Sequence, residues 1–452
     1  MQTEPLIFNN MLYRKIEEQI TKHLQSGSDR ILVIDGARQI GKSYIVRKVG
    51  QELFANYIEV NMELDKMGEQ VFAQVRTISD FYLALSTIAG DKMKEKSNTL
   101  VFIDEIQAYD NLLTLLKFLR EDGRFTYIAS GSQLGITLKM TFSIPIGSII
   151  IKHMYPLDFE EFLIANNVGS LVIDVMKQNF AERKAMPDAI HHKLLDLFKK
   201  YLLVGGLPDA VNEFIKSQNI ITVRSIQSEI QHLYGVDAAR YEEAHQRLKI
   251  QRIYDMIPSN LGNKKKRIVA KDIENKAGKR MGDYQEEFDY LISSGIALEV
   301  KAISKPCFPL IENSGKNLLK LYVNDVGILT NIFYGSNIKA IMDDIATINL
   351  GAVYETVVAQ ELKAHGFKLY YYDNKKVGEV DYLIDDIANL SVFPLEIKSG
   401  KDYKTHSALN KLLQVKDYNI KEAFVFSNSG VVETINNITY LPIYYIACMH
   451  AQ

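Results

Sequence analysis

The sequence is poor in cysteine, with only Cys307 and Cys448 among its 452 residues, and it contains no tryptophan. Two cysteines are too few for a disulfide framework or a cysteine-rich zinc site, and they fit a reducing compartment. The apolar run around Ile144 to Ile151 is far shorter than the roughly 20 residues that span a bilayer. Residues 1–10 lack the basic stretch and apolar core of a signal peptide. These absences predict a cytoplasmic protein with no membrane partner.

The chain also lacks an excess of charge of either sign. Lys and Arg total 53, Asp and Glu total 55, and the formal net charge is −2. A global positive field that would attract nucleic acid is therefore excluded, and any such contact must come from a local patch. The hydrophobic fraction of 47% and the charged fraction of 24% are those of a globular protein. A chain of this length is expected to form about three domains.

A glycine-rich motif lies between a predicted strand and a predicted helix. Residues 30–35 form an apolar run that is typical of a buried parallel strand, and a helical segment begins at residue 44. Between them stands Gly36-Ala-Arg-Gln-Ile-Gly41-Lys42-Ser43, the G-x-x-x-x-G-K-S pattern of a P-loop. We expect Gly36 and Gly41 to let the backbone surround phosphate oxygens. Lys42 is expected to contact the phosphates of ATP, and Ser43 to hold Mg²⁺.

A second apolar strand ends in two carboxylates. Residues 99–105 read Thr-Leu-Val-Phe-Ile-Asp-Glu, which is typical of a Walker B strand. We expect Asp104 to hold Mg²⁺ through its water shell and Glu105 to act as general base on the attacking water. A third apolar strand ends in Ser130-Gly-Ser132. Either serine could contact the γ-phosphate of ATP, and a simple turn explains the pair equally well.

At these residues the chain resembles the AAA-type ATPases of bacteria and archaea that carry a long C-terminal region. The resemblance continues in four further segments: Ile-Asp-Glu-Ile-Gln (103–107), Tyr-Pro-Leu-Asp-Phe-Glu-Glu-Phe (155–162), Gly-Gly-Leu-Pro (205–208) and Asn-Asp-Val-Gly-Ile-Leu (324–329). It implies ATP hydrolysis, an AAA-type parallel-sheet core over residues 1–165 and a helical lid over residues 166–242. Oligomer formation is left open.

Residues 243–335 show the pattern of a winged helix-turn-helix. Helical periodicity at about 245–257, 269–278 and 283–294 is followed by a short alternating stretch at 297–301. Three helices and a hairpin in this order predict a winged-helix-like region.

The segment 264–280 of this region is basic. It holds eight basic and two acidic residues, which are Lys264, Lys265, Lys266, Arg267, Lys271, Lys276, Lys279 and Arg280 against Asp272 and Glu274. Lysine and arginine neutralise DNA phosphates, and the segment therefore predicts contact with the DNA backbone. A solvated or protein-contacting surface is an equal alternative. The presumed recognition helix, residues 284–289, is acidic, which argues against base reading in the major groove.

Residues 336–452 combine a helix, several strands and a set of carboxylates. Glu355 lies on a predicted helix over 350–365, and Asp381 lies on a predicted strand. On the next strand, Glu396 and Lys398 are two residues apart, so that both side chains face one side of the sheet.

An Asp followed fifteen residues later by Glu-x-Lys, in an αβββαβ order, resembles the PD-(D/E)XK nuclease superfamily. The resemblance implies that Asp381 and Glu396 bind Mg²⁺ or Mn²⁺ and that Glu355 completes the acidic cluster. Lys398 would then orient or deprotonate the attacking water. The alternative is a salt-bridged sheet face without catalysis.

The predicted fold class is α/β throughout. It comprises an N-terminal P-loop AAA-type parallel sheet with a helical lid, a winged-helix-like middle and a C-terminal restriction-nuclease-like domain. The leading functional hypothesis is Mg²⁺-dependent ATP hydrolysis that controls the contact of the nuclease-like domain with DNA. The alternative hypothesis is a nucleotide-switched protein-interaction module whose nuclease-like domain is catalytically idle.

Overall fold

The computed structural model describes residues 12–93, 98–132, 134–135, 147–238, 244–263, 266–314, 318–343, 345 and 348–451. These residues form two compact units. The N-terminal unit consists of Tyr13–Tyr155 with Ser293–Gly295, and the C-terminal unit contains the rest. None of the helices within the described ranges is long and apolar enough to cross a bilayer.

The N-terminal unit is built on a five-stranded parallel sheet in the order β2-β3-β4-β1-β5. Its strands are β1 (Ile31–Asp35), β2 (Asn56–Asn61), β3 (Thr99–Asp104), β4 (Thr126–Gly131) and β5 (Ile149–His153). Its helices are Lys15–Gln25, Lys42–Leu53, Met62–Met67, Ile78–Ala89 and Asp110–Asp122. Every residue of β1 and β3 is buried. Parallel strands covered by helices on both faces read as continuous apolar runs. The structure thus confirms the buried parallel strand expected at 30–35 and the apolar strand expected at 99–105.

Helices make up the first part of the C-terminal unit. They are Phe159–Ala165, Ser170–Ala181, Asp188–Val204, Pro208–Ser217, Ile220–Ala238, Ala244–Gly262, Ala270–Glu274 and Gln285–Ser293. Four further helices follow among the strands: Val326–Tyr334, Lys339–Met342, Gly351–Ala364 and Ser407–Leu413.

The second sheet has eight strands in the order β12-β13-β11-β10-β9-β8-β6-β7. They are β6 (Ala297–Ile303), β7 (Leu319–Val323), β8 (Tyr370–Asn374), β9 (Gly378–Asp386), β10 (Ser391–Lys398), β11 (Ala423–Ser427), β12 (Glu433–Ile435) and β13 (Ile438–Pro442). β9 and β10 form an antiparallel hairpin. β6 pairs antiparallel with β7 and parallel with β8. The stretch interpreted as a wing therefore shares one sheet with the nuclease-like strands, and the division at 335/336 stays a prediction.

Two of the segments that carry the family resemblance meet inside the C-terminal unit. The buried side chain of Asp325 accepts hydrogen bonds from the backbone N–H of Gly206 at 2.6 Å and of Ile328 at 3.1 Å. The second bond caps the helix Val326–Tyr334. Burial raises the pKa of Asp325 to about 6, against the opposing effect of these backbone donors. One carboxylate thus joins the Gly-Gly-Leu-Pro turn to the Asn-Asp-Val-Gly-Ile-Leu segment.

The turn tolerates no side chain at Gly206. A Cβ at this position would lie 2.0 Å from the carbonyl oxygen of Leu157 and 2.7 Å from its nitrogen, and both are backbone atoms. The Gly206 carbonyl also accepts from the Leu157 N–H at 2.7 Å, so the two backbones cannot separate without breaking that hydrogen bond.

We therefore expect Gly206→Ala to lower the free energy of unfolding by about 1–3 kcal/mol, the usual range for an overpacked site. Denaturant titration followed by circular dichroism measures this change. Gly282→Ala is the matched control, because Gly282 is exposed and a Cβ there meets nothing within 4 Å. Equal midpoints for both variants would contradict the expectation.

Candidate functional site

The P-loop adopts a backbone that requires both of its glycines. Gly36 has φ +148° directly after β1, and Gly41 has φ +89° directly before the helix Lys42–Leu53. A Cβ at Gly36 would lie 2.3 Å from the carbonyl oxygen of Met154. Only glycine adopts these conformations without strain. The helix consequently begins at the loop, and the N-terminus of a helix is a favourable position for an anion.

Lys42 is buried inside this loop. Its ammonium donates to the carbonyl oxygens of Gly36 at 2.9 Å and of Ala37 at 2.8 Å. Burial lowers the pKa of Lys42, while nearby acidic side chains, led by Glu105, act in the opposite direction. The ammonium is thus held at the loop by neutral acceptors, which phosphate oxygens can replace with stronger, charge-assisted hydrogen bonds.

The Asp104 carboxylate is the meeting point of polar side chains at the ends of the strands. The Ser43 hydroxyl lies 2.9 Å from each oxygen of Asp104, and Asn61 Nδ2 donates to Oδ2 at 2.9 Å. The Ser130 hydroxyl donates to Oδ1. Burial raises the pKa of Asp104, and the Ser130 hydrogen bond opposes that rise. Hydroxyl and carboxylate oxygens are ligands that Mg²⁺ prefers, so the side chains of Ser43 and Asp104 fit the predicted ion.

Asn61 was not identified from the sequence. It is the last residue of β2, and the register pairs it with Asp104 at the end of β3. Because β2 and β3 are neighbours in the sheet, these two strand ends lie side by side. Asn61 belongs to no recognisable sequence motif, so the sequence does not mark it as part of the site. The Ser130 hydroxyl contacts Asp104, and its expected contact with the γ-phosphate stays a prediction.

Glu105 lies just beyond β3 in a left-handed backbone conformation, with φ +51°. Its Oε2 accepts from Gln107 Nε2 at 2.5 Å and from the Ser132 hydroxyl at 3.0 Å. Burial tends to raise the pKa of Glu105, but the Lys42 charge and these hydrogen bonds outweigh it and leave the pKa lowered. An ionised, oriented carboxylate is what a water-positioning residue requires. Gln107 belongs to the family-like segment 103–107, but no role was expected for it from the motif.

Arg14 is a second residue that sequence reasoning missed. It is buried, and it directly precedes the helix Lys15–Gln25. Its guanidinium donates to the carbonyl oxygen of Ile40 in the P-loop at 3.0 Å and to that of Tyr155 at 2.5 Å. Tyr155 is the residue at which the chain leaves the N-terminal unit. Arg14 therefore joins the phosphate-binding loop to this exit.

In the C-terminal unit, the β9–β10 hairpin brings the predicted acidic residues together. Tyr382 pairs with Leu395, so Asp381 and Glu396 are the next residues along the two strands. Asp381 Oδ2 accepts from the Ile397 N–H at 2.9 Å, and Glu396 Oε1 accepts from Lys398 Nζ at 2.8 Å. The other Glu396 oxygen is buried and has no hydrogen-bond partner among the described residues.

Glu355 joins this cluster from the helix Gly351–Ala364. Its Oε2 accepts from the Tyr322 hydroxyl at 3.0 Å, and its Oε1 forms an ion pair with Lys266. Burial raises the pKa of Asp381 well above its usual range, and the charges of Glu396 and Glu355 raise it further. The three carboxylates are therefore electrostatic neighbours.

Their arrangement does not form a metal centre. Across the described ranges, no group of three or more His, Cys, Asp or Glu side chains is placed to hold a metal ion. Both oxygens of Glu355 are occupied by protein donors, and Lys398 occupies one oxygen of Glu396. In this arrangement, the predicted ligands Glu355, Asp381 and Glu396 do not fit a divalent ion.

Several basic residues of the segment 264–280 form ion pairs with acidic side chains of the protein. Lys264 and Lys265 lie outside the described residues. Lys266 pairs with Glu355, and Arg267 lies 3.7 Å from Asp373. Lys276 and Lys279 lie 3.5 and 3.8 Å from Glu274, whereas Lys271 is exposed. The contact of Lys266 agrees with the alternative of a protein-contacting surface. Contact of the segment with DNA stays a prediction.

Three protein families match separate parts of the chain. The family described as an AAA domain matches residues 28–163. Two domains of unknown function, DUF8612 and DUF4143, match residues 195–339 and 350–446. An uncharacterized protein of Haemophilus influenzae is 24% identical over 193 residues. That match spans 41% of this chain and 45% of the relative, less than half of its length.

The solved structures similar to this chain include P-loop proteins. The Walker-type ATPase of Pyrococcus abyssi is 14% identical, with a TM-score of 0.43 over 71% of this chain and 95% of that protein. The RuvB Holliday junction branch migration motor of Thermotoga maritima is 13% identical, with a TM-score of 0.29 over 63% of this chain and 89% of that protein.

The geometry of the N-terminal unit and the family match both indicate a P-loop ATPase domain. A parallel sheet ends in a P-loop with a buried lysine, and the serine after that lysine contacts the acid at the end of β3. The AAA family match covers all of these residues. Residues 28–163 therefore carry an AAA-type P-loop ATPase domain.

Proposed function

We propose that the chain binds ATP with Mg²⁺, hydrolyses it, and uses its nucleotide state to control the contact of the C-terminal unit with DNA. The observation that carries the ATPase part is the contact between Ser43 and Asp104, with Glu105 directly behind. The Ser43 hydroxyl, the Asp104 carboxylate and the ionised Glu105 lie together at the carboxyl ends of the strands. Open α/β sheets bind their ligands at these strand ends.

Each residue has a separate task in this proposal. Lys42 exchanges its two carbonyl acceptors for phosphate oxygens, and Ser43 and Asp104 hold Mg²⁺. The bound ion neutralises charge that develops on the phosphates. Glu105, held by Gln107 and Ser132, orients the attacking water and accepts its proton.

The Arg14 contacts support nucleotide control. The Arg14 guanidinium donates both to the Ile40 carbonyl in the P-loop and to the Tyr155 carbonyl. A shift in the position of the Ile40 carbonyl therefore moves the guanidinium and, through it, the Tyr155 carbonyl. One side chain thus links the phosphate-binding loop to the point where the chain leaves the N-terminal unit. DNA contact is proposed from the basic segment 264–280 and from the nuclease-like pattern of residues 336–452.

A specific observation favours a second candidate, a nucleotide-switched protein-interaction module. Two carboxylates of the nuclease-like region, Glu355 and Glu396, are each neutralised by a lysine. A domain held in that state would be catalytically idle. The two candidates differ in whether the C-terminal unit contacts DNA phosphates.

We expect Lys42→Ala to weaken ATP binding strongly, because the variant cannot make the charge-assisted hydrogen bonds to the phosphates. Isothermal titration calorimetry measures the affinity. Lys48→Ala is the matched control on the same helix, since Lys48 pairs with Glu17 at 2.6 Å and not with the loop. An unchanged affinity in Lys42→Ala would remove the P-loop assignment.

Glu105→Gln is expected to keep ATP affinity and to lower turnover by about 10²-fold or more, the scale of a missing general base. Steady-state phosphate release gives the rate, and calorimetry gives the affinity. Glu121→Gln, at an exposed position of the helix Asp110–Asp122, serves as the control. If Glu105→Gln turned over ATP at the parental rate, Glu105 would have no part in the chemistry.

The DNA part is tested by salt dependence. Changing Lys271 and Lys276 to Ala should flatten the log–log dependence of DNA affinity on salt, by up to about 0.9 for each phosphate that the variant no longer neutralises. The double change of the exposed Lys193 and Lys216 is the control, because it removes the same charge elsewhere. A slope that changes equally in both double variants would favour the protein-interaction candidate.

A further inference from the structure

Arg38 is a charged residue inside the P-loop that has no task in the nucleotide site as described so far. It is the third residue of the loop, two positions after Gly36. Its guanidinium is held in place, because Nη2 donates to Glu63 Oε1 at 3.1 Å, and the two side chains are each 28% exposed. The fold therefore defines the direction in which this arginine points.

Glu63 lies on the other side of the nucleotide site from the P-loop. It is the second residue of the helix Met62–Met67, which begins directly after β2. In the sheet order β2-β3-β4-β1-β5, the P-loop follows β1, so β4 and β3 stand between the loop and Glu63. Three strand spacings amount to about 14 Å. The contact between Arg38 and Glu63 therefore crosses the carboxyl ends of β4 and β3.

The residues proposed to act on ATP lie at those strand ends. β3 ends in Asp104 and is followed by Glu105. Asn61, the last residue of β2, donates from Nδ2 to Asp104 at 2.9 Å. The Asn61 Oδ1 also accepts from the Leu64 N–H at 2.9 Å and so caps the helix that carries Glu63. One asparagine thus fixes the partner of Arg38 relative to the carboxylate proposed to hold Mg²⁺.

The charge of Arg38 acts on two residues of the site. Burial tends to raise the pKa of Glu105, and the charges of Lys42 and Arg38 oppose that rise. Burial lowers the pKa of Lys42, and the like charge of Arg38 acts in the same direction. Because Coulomb interactions weaken with distance, the guanidinium lies near both side chains. Lys42 is assigned to the phosphates and Glu105 to the attacking water, so Arg38 stands close to the reacting end of ATP.

We propose that Arg38 is a catalytic arginine supplied by the P-loop itself, which contacts the γ-phosphate of ATP, and that Glu63 is the residue that positions it. The inference rests on the proposed ATPase function and adds a residue that the P-loop and Walker B motifs do not specify. A guanidinium carries five N–H donors in a planar fork, so it can bind a phosphate oxygen while one nitrogen stays on Glu63. The observed ion pair is therefore kept during the reaction.

The role of Arg38 in the reaction is electrostatic. The water oxygen forms a bond to the γ-phosphorus, the bond from that phosphorus to the β–γ bridging oxygen breaks, and its electron pair leaves with ADP. Glu105 accepts the proton of the water, and Arg38 stays protonated throughout. Its fixed positive charge stabilises the negative charge on the γ-phosphate oxygens in the transition state.

The test compares the two members of the ion pair in the full chain. Arg38→Ala is expected to lower kcat for ATP by about 10³-fold, the lower end of the range for a catalytic arginine. Calorimetry should show parental ADP affinity and a reduced preference for ATPγS over ADP. Arg38→Lys retains the charge but not the planar fork, and it should restore only part of the turnover.

Glu63→Gln tests the positioning role, since it keeps the arginine and an acceptor oxygen beside it. Its kcat should fall by less than that of Arg38→Ala. In the double variant, kcat should equal that of Arg38→Ala alone, because a positioning residue has no effect once the group that it positions is absent. A purely structural ion pair would instead lower kcat and melting temperature equally in both single variants.

Arg120→Ala is the matched control. Arg120 belongs to the same unit, but it pairs with Asp29, which precedes β1 at the amino end of that strand. Parental kcat and parental nucleotide preference are expected for this variant. If circular dichroism shows that Arg38→Ala is poorly folded, Arg38→Gln retains hydrogen-bond donors without the charge, and the same fall in kcat is expected.

Parental kcat in a folded Arg38 variant without the charge would overturn the inference. Equal losses of kcat and melting temperature in Arg38→Ala and Glu63→Gln would also overturn it. A parent that turns over ATP normally, with Arg38→Ala as active as the parent, refutes the arginine alone. A parent without turnover refutes the proposed ATPase function, and the catalytic arginine with it.

Discussion

The nucleotide site depends on one buried carboxylate, Asp104, at the end of β3. A charge in that position persists only when hydrogen bonds replace its missing hydration. Ser43, Asn61 and Ser130 supply them from the helix after the P-loop, from β2 and from β4. Because each donor comes from a different element, the carboxylate aligns the strand ends with the helix that begins at the phosphate-binding loop. The same burial that raises its pKa prepares it for a cation.

In the C-terminal unit, buried carboxylates are stabilised by charged partners in place of hydroxyls. Glu355 and Glu396 are each held by a lysine, and Asp381 accepts a backbone N–H. Removing one member of a buried ion pair leaves an uncompensated charge, so the two lysines stabilise the centre as long as they stay paired. At Asp325 the solution is different again, because backbone N–H groups of a turn and a helix hold the carboxylate. Placement of buried acids thus explains much of how both units are organised.

Local patterns were sufficient for a large part of this description. The P-loop, the strand ending in Asp104 and the β9–β10 hairpin all follow from residues that are close in sequence, since turn chemistry and apolar runs act over a few residues. Arg14 and Asn61 escaped notice for the opposite reason. Their partners lie at Ile40 and Asp104, and neither residue type is unusual in its own segment. The pairing of β6 with β8 was equally hidden, because about seventy residues separate the two strands.

The sequence by itself determined the α/β class, the phosphate-binding loop and the types of side chain that gather at the strand ends. Glycines at Gly36 and Gly41 and apolar strands impose these features through backbone sterics and burial alone. Only the tertiary structure decided what each charge faces. For Lys266 the basic segment left DNA phosphate and a protein surface as equal alternatives, and the structure pairs it with Glu355, 89 residues away. A local run of charge sets the sign of a surface, but the partner of any one charge depends on which distant segment the fold brings to it.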